Sequence, residues 1–122
     1  MIRAWLAVAA IVGFFSVAAG AASAHLGAGG RTTELLRIGA LYGMVHAAAL
    51  VAIAAVADHR GQRSFLLIGA GWCFAAGMLL FSFSLFALAL TGMTWLGIVT
   101  PLGGACLLIG WAALGAYALS RR

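Results

Sequence analysis

From Ser64 to Ser120 the chain carries no Asp, Glu, Lys, Arg or His. A run of that length cannot be laid over a water-facing surface, and it limits the fold to one built in hydrocarbon. A helix rises about 1.5 Å per residue and the apolar layer of a bilayer is about 30 Å thick, so one crossing takes about 20 residues. The run is far too long for one crossing and suits two. The break is expected at Leu90-Thr91-Gly92-Met93-Thr94-Trp95, where Gly92 and two threonines favour a turn and Trp95 suits a membrane interface. Upstream, Ala4–Ala24 is uncharged and opens on Trp5, and Ile38–Ala57 is uncharged between Arg37 and Asp58.

The expected architecture is therefore all-α and integral to the membrane, one domain over residues 1–122. It has four antiparallel transmembrane helices in a compact bundle, with spans of about 4–25, 36–57, 65–90 and 95–119, joined by short loops. Composition agrees: 66% of the residues are hydrophobic and 7% charged, against roughly a quarter charged in soluble proteins. Arg3, an apolar stretch and Ala22-Ser23-Ala24 imitate a secretory signal, but the apolar run exceeds the roughly 7 to 15 residues of a signal core. A retained first helix is the expectation.

All seven basic residues are arginines, scattered singly or in pairs between apolar runs. That distribution argues for membrane lipids as neighbours and against nucleic acid. With the N-terminus inside, Arg3, Arg60, Arg63, Arg121 and Arg122 share the cytoplasmic side and Arg31 and Arg37 the other, which favours a multi-pass protein with both termini in the cytoplasm. Glu34 sits between Arg31 and Arg37 at the start of the second span and reads as helix-end charge pairing.

Four short stretches, at residues 20–25, 42–46, 80–85 and 100–104, resemble the motifs of the YgdD-type family of small bacterial inner-membrane proteins, a domain of unknown function with small eukaryotic transmembrane relatives. Gly20-Ala21-Ala22-Ser23-Ala24-His25 is similar to its GAFGAH signature, and Tyr42-Gly43-Met44-Val45-His46 to its YQxxH segment. Leu80-Phe81-Ser82-Phe83-Ser84-Leu85 is similar to its LFSGSLY, and Thr100-Pro101-Leu102-Gly103-Gly104 to its TPIGG. In order and spacing these cover nearly the whole chain. Ala22-Ser23 departs from Phe-Gly, Gly43 stands where glutamine is common, and Phe83 replaces a small residue. The resemblance implies a four-helix inner-membrane protein and no known reaction.

Because lipid is as apolar as a helix surface, helices associate there through small residues that admit close approach. Ala9, Gly13, Ser16, Gly20 and Ala24 recur at intervals of three and four on the first span, and Gly39, Gly43 and Ala47 on the second. These two faces are expected to meet. The third span offers Gly69, Cys73 and Gly77, and the fourth Gly103, Cys106, Gly110 and Ala113, with Pro101 near the start of the fourth.

An ionisable group within the span is a functional candidate, since it is costly there. His46 falls about 16 Å inside an outer boundary near Leu35, close to the midplane, on a stripe with Gly39, Tyr42 and Gly43. A bond across helices to Ser82, Ser84 or a carbonyl freed near Pro101 is the structural expectation for it, and a proton or small-solute path the functional one. Thr100 belongs to the same candidate polar set. His25 lies about 30 Å along the helix from Trp5, at the interface, so a haem clamped by His25 and His46 is disfavoured. His59 belongs to a loop. His46, Cys73 and Cys106 share roughly one depth, and a soft-metal site there is chemically reasonable, although no spacing motif supports it. Neither a metal nor a cofactor is expected.

Catalytic motifs are absent: there is no phosphate loop, no nucleophile with a base and orienter, and only two acids, Glu34 and Asp58, far apart in sequence. The expected function is a non-enzymatic accessory or scaffold subunit of a larger inner-membrane complex, of respiratory or photosynthetic type, whose partners are other integral membrane subunits. The alternative is a small transporter or channel that uses His46, made from several copies of the chain.

Overall fold

The computed structural model describes residues 1–25, 29–60 and 64–120. Arg63, Arg121 and Arg122, which entered the charge comparison, lie outside the described residues, as does the side chain of Arg60. Four helices make up the fold: α1 (Ile2–His25), α2 (Gly30–Arg60), α3 (Phe65–Thr91) and α4 (Leu96–Ser120). Each is long and apolar enough to cross a membrane, and there is no strand among the described residues. Gly92 closes α3: it adopts φ 71°, a left-handed conformation that costs glycine little, and its N–H donates to the Leu88 carbonyl at 2.9 Å.

The helices do not form a closed ring. α1 packs on α2 and α3, α2 on α3, and α3 on α4, whereas among the described residues no backbone contact joins α4 to α1 or α2. Glycine decides where helices come closest. A Cβ placed on Gly103 would collide with the backbone nitrogen of Phe81 and stand 2.9 Å from the Gly77 carbonyl oxygen. At Gly77 it would stand 2.7 Å from Leu107, and at Gly110 2.5 Å from the Phe74 ring. Three glycines thus let α3 and α4 touch along most of their length.

On the α1–α2 seam Gly13 faces Ala47, Ser16 faces Gly43 and Gly20 faces Ala40, so the pairs advance along α1 as they retreat along α2. Two of the small residues assigned to that seam lie elsewhere. Ala24 is exposed, because the bulky Leu36 fills the space beyond Ala40 by packing against Ala19, Ala22 and Phe86. Gly39 turns to α3, where a Cβ would meet Phe86 at 2.6 Å and Leu85 at 3.3 Å. Ala9, by contrast, is buried in the main core with Trp5, Val12, Leu50, Phe74 and Met78. Trp5 is itself fully buried, its ring laid into the notch left by Gly71.

Candidate functional site

α2 and α4 stand on either side of α3 with a trough between them, and one pair of side chains crosses it. Trp111 on α4 donates its indole N–H to Nε2 of His46 on α2 at 2.9 Å. His46 Nδ1 lies 2.7 Å from the Tyr42 carbonyl oxygen one turn earlier. An indole nitrogen can only donate and a carbonyl oxygen can only accept, so the two contacts together fix the imidazole: the proton is on Nδ1 and Nε2 is the acceptor. A second proton on Nε2 would set two N–H groups head to head.

Aromatic rings complete the enclosure. Phe74 meets His46 edge-on at 5.4 Å and Trp111 at 4.9 Å between ring centroids. The Tyr42 ring lies nearly parallel to the imidazole at 6.2 Å and leans on Phe81 at 5.0 Å. His46 is 5% exposed as a result, although Trp111 and Tyr42 each leave about half of their surface open. The cavity on one side of the bridge, about 520 Å³, is lined by Tyr42, His46, Phe81, Pro101, Leu108 and Trp111. Pro101 lacks the N–H that the Gly97 carbonyl would otherwise accept, which keeps that wall of α4 free of one helical bond.

The serines expected to reach His46 do other work. Ser82, fully buried, donates to the Gly39 carbonyl at 2.9 Å and so ties α3 to α2. Ser84 donates to the Phe81 carbonyl at 2.9 Å and shares a hydrogen bond with the Thr100 hydroxyl at 2.6 Å, tying α3 to α4. Both are short of the imidazole because close packing at Gly39 and Gly103 turns their side of α3 into the helix seams. His25 is exposed at the end of α1 and takes no part. Cys73 and Cys106 are free thiols, and among the described residues no three His, Cys, Asp or Glu side chains gather as a ligand set. Equal depth therefore does not bring His46, Cys73 and Cys106 to a common point: the imidazole nitrogens are turned to Tyr42 and Trp111, and Cys73 lies beside Gly110 on the α3–α4 seam.

Trp111 is the site residue that sequence reasoning missed. Its signal was available: it lies 15 residues into α4, about 22 Å from the start, where an indole is remote from the interface that tryptophan ordinarily prefers. An indole N–H at that depth needs a partner inside the protein.

A family model described as a protein of unknown function (DUF423) matches residues 19–104, a segment that includes α2, α3 and the Pro101 turn of α4. The chain belongs to this family. It is 35% identical to the UPF0382 inner membrane protein YgdD of Escherichia coli over 125 residues, covering 98% of this chain and 94% of that protein. It is 35% identical to the UPF0382 membrane protein YwdK of Bacillus subtilis over 112 residues, 89% and 90% of the two chains. A UPF0382 membrane protein of Haemophilus influenzae is 38% identical over 117 residues, 90% and 89% of the two. No solved structure matches. Like these relatives, the chain is a small integral membrane protein, and its four apolar helices fit a multi-pass arrangement. The match ends at residue 104, so Trp111, which completes the bridge, lies beyond the matched segment while His46 lies within it.

Proposed function

We propose that the protein is a non-enzymatic accessory subunit that docks against other integral membrane helices through the part of α4 that α3 leaves uncovered. The observation that carries this reading is the one-sided attachment of α4. Its backbone comes close to α3 alone, and among the described residues no other part of the chain comes within 4 Å of where a Cβ would stand on Gly97 or Gly115. Glycine there contributes nothing to internal packing and leaves α4 thin on the side a neighbouring helix can approach. The balance of arginines supports an arrangement with both termini in the cytoplasm, and the relative named as an inner membrane protein supports that membrane as the location.

A transporter that moves protons through His46 is less well supported, since both imidazole nitrogens are already engaged within the chain. Mild solubilisation of native membranes tests the first reading. The wild-type chain is expected to migrate in a complex with other subunits, and Gly115→Leu to migrate alone with unchanged thermal stability. A wild-type chain that migrates only as a monomer contradicts it. Flux into liposomes that is lost in His46→Ala would move the assignment to transport.

A further inference from the structure

The α2 face that lines the trough carries a cation at one end. The α2 residues that line it, Arg31, Leu35, Tyr42, His46, Ala49, Ile53 and Val56, recur at intervals of three, four and seven and so share one helical face. Beside Arg31, between α2, the end of α3 and the α3–α4 turn, is a small recess of about 140 Å³, where Thr32, Thr94, Leu35 and Leu88 combine hydroxyls with an apolar floor. Deeper along the same face is the 520 Å³ cavity that ends on the His46–Trp111 bridge. Beyond the bridge the trough resumes between Ile53 and Tyr117.

Among the described residues Arg31 has no ion-pair partner. Glu34 and Asp58 are the two acids. Both oxygens of Glu34 are taken by Arg37, at 3.0 and 2.9 Å, and Asp58 is about 40 Å away along the helix. The length also selects the occupant. Arg31 to His46 is 15 residues, about 22 Å of helix, and one leaflet with its headgroup is about half of a 40 to 45 Å bilayer. A neighbouring transmembrane helix, about 10 Å wide and continuous through both leaflets, would run into the indole that crosses the trough. A single flexible chain from one leaflet ends at it. An empty trough would forfeit the dispersion contacts of its apolar walls.

We propose that the segment from Arg31 to the His46–Trp111 bridge binds an anionic phospholipid, with the phosphate at Arg31, Thr32 and Thr94 and one acyl chain lying over Phe81, Pro101 and Leu108. The test uses the full chain in mild detergent, with binding of phosphatidylglycerol and phosphatidylcholine read by native mass spectrometry. Three variants alter exposed positions: Arg31→Gln removes the headgroup contact, Ala105→Phe fills the acyl cavity, and Arg3→Gln removes the same charge at the other end of the molecule. Phosphatidylglycerol is expected to bind about fivefold more weakly to Arg31→Gln, the effect of one interfacial cation. Its binding should also weaken in Ala105→Phe and stay unchanged in Arg3→Gln. Equal losses in Arg31→Gln and Arg3→Gln, unchanged binding to Ala105→Phe, or phosphatidylcholine bound as tightly as phosphatidylglycerol would each overturn the proposal.

Discussion

α4 meets α3 and α2 in opposite ways. Against α3 it presents Gly103, Leu107 and Gly110, and the two backbones approach until no Cβ fits between them. Against α2 it presents Trp111 and meets Tyr42 and His46, so the helices stand apart and touch through one hydrogen bond. In hydrocarbon neither arrangement gains much from apolar burial, because lipid covers exposed leucine as well as another helix does. The residue size at the contact is what decides. Small residues make a seam, and large aromatic ones make a trough with a polar strut.

The contrast can be broken most severely at the seam. Gly103→Leu drives a side chain into the backbone of Phe81, which cannot rotate away, and overpacking of a tight core costs up to about 3 kcal/mol or more. The variant is expected to lose cooperative thermal unfolding in detergent. A melt like that of the wild type would mean that α3 and α4 are not held by glycine.

The α1–α2 seam offers a milder and reversible test. A Cβ at Gly43 collides with Ser16 Oγ and stands 3.0 Å from Ser82 Oγ. Ser16 is fully buried and its hydroxyl has no hydrogen-bond partner among the described residues, so it gives nothing in exchange for its desolvation. Gly43→Ala is expected to lower stability by about 1 to 2 kcal/mol. Ser16→Ala alone should raise it by about 1 kcal/mol, and the double variant should recover most of the loss. Additive effects in a thermal or denaturant series would separate the two residues and remove the contact.

The smallest effect belongs to the strut. Trp111→Phe keeps the ring against Phe74 and deletes the donor, and hydrogen bonds between membrane helices are worth about 0.6 kcal/mol on average and at most about 2. A loss near 1 kcal/mol is expected, and it should vanish when His46 is already alanine. A loss that persists undiminished in the His46→Ala background would assign Trp111 a packing role alone.

These two kinds of contact were unequally legible in the sequence. The four helices could be read because an uncharged run of known length has few alternatives in a bilayer. Gly43 against Ser16 could be read as well, since small residues at intervals of three and four mark a seam. The partner of each face could not. Every side of these helices is apolar, so there is no polar face to separate inside from outside, and spacing names a stripe without naming what it meets. Gly39 shares its stripe with Gly43 yet faces Phe86 on α3. His46 was legible as a polar group at depth. Its partner lay 65 positions away on another helix, and only the depth of Trp111 hinted at it.

The strut itself is open to direct observation. Nitrogen-15 NMR of the chain labelled at histidine, reconstituted in lipid bilayers, distinguishes a ring nitrogen that carries hydrogen from one that accepts. The arrangement of Tyr42, His46 and Trp111 predicts a neutral imidazole with hydrogen on Nδ1 and an accepting Nε2 whose resonance shifts when Trp111 becomes phenylalanine. Hydrogen on Nε2, in either the other tautomer or the cation, would contradict the bridge between α2 and α4.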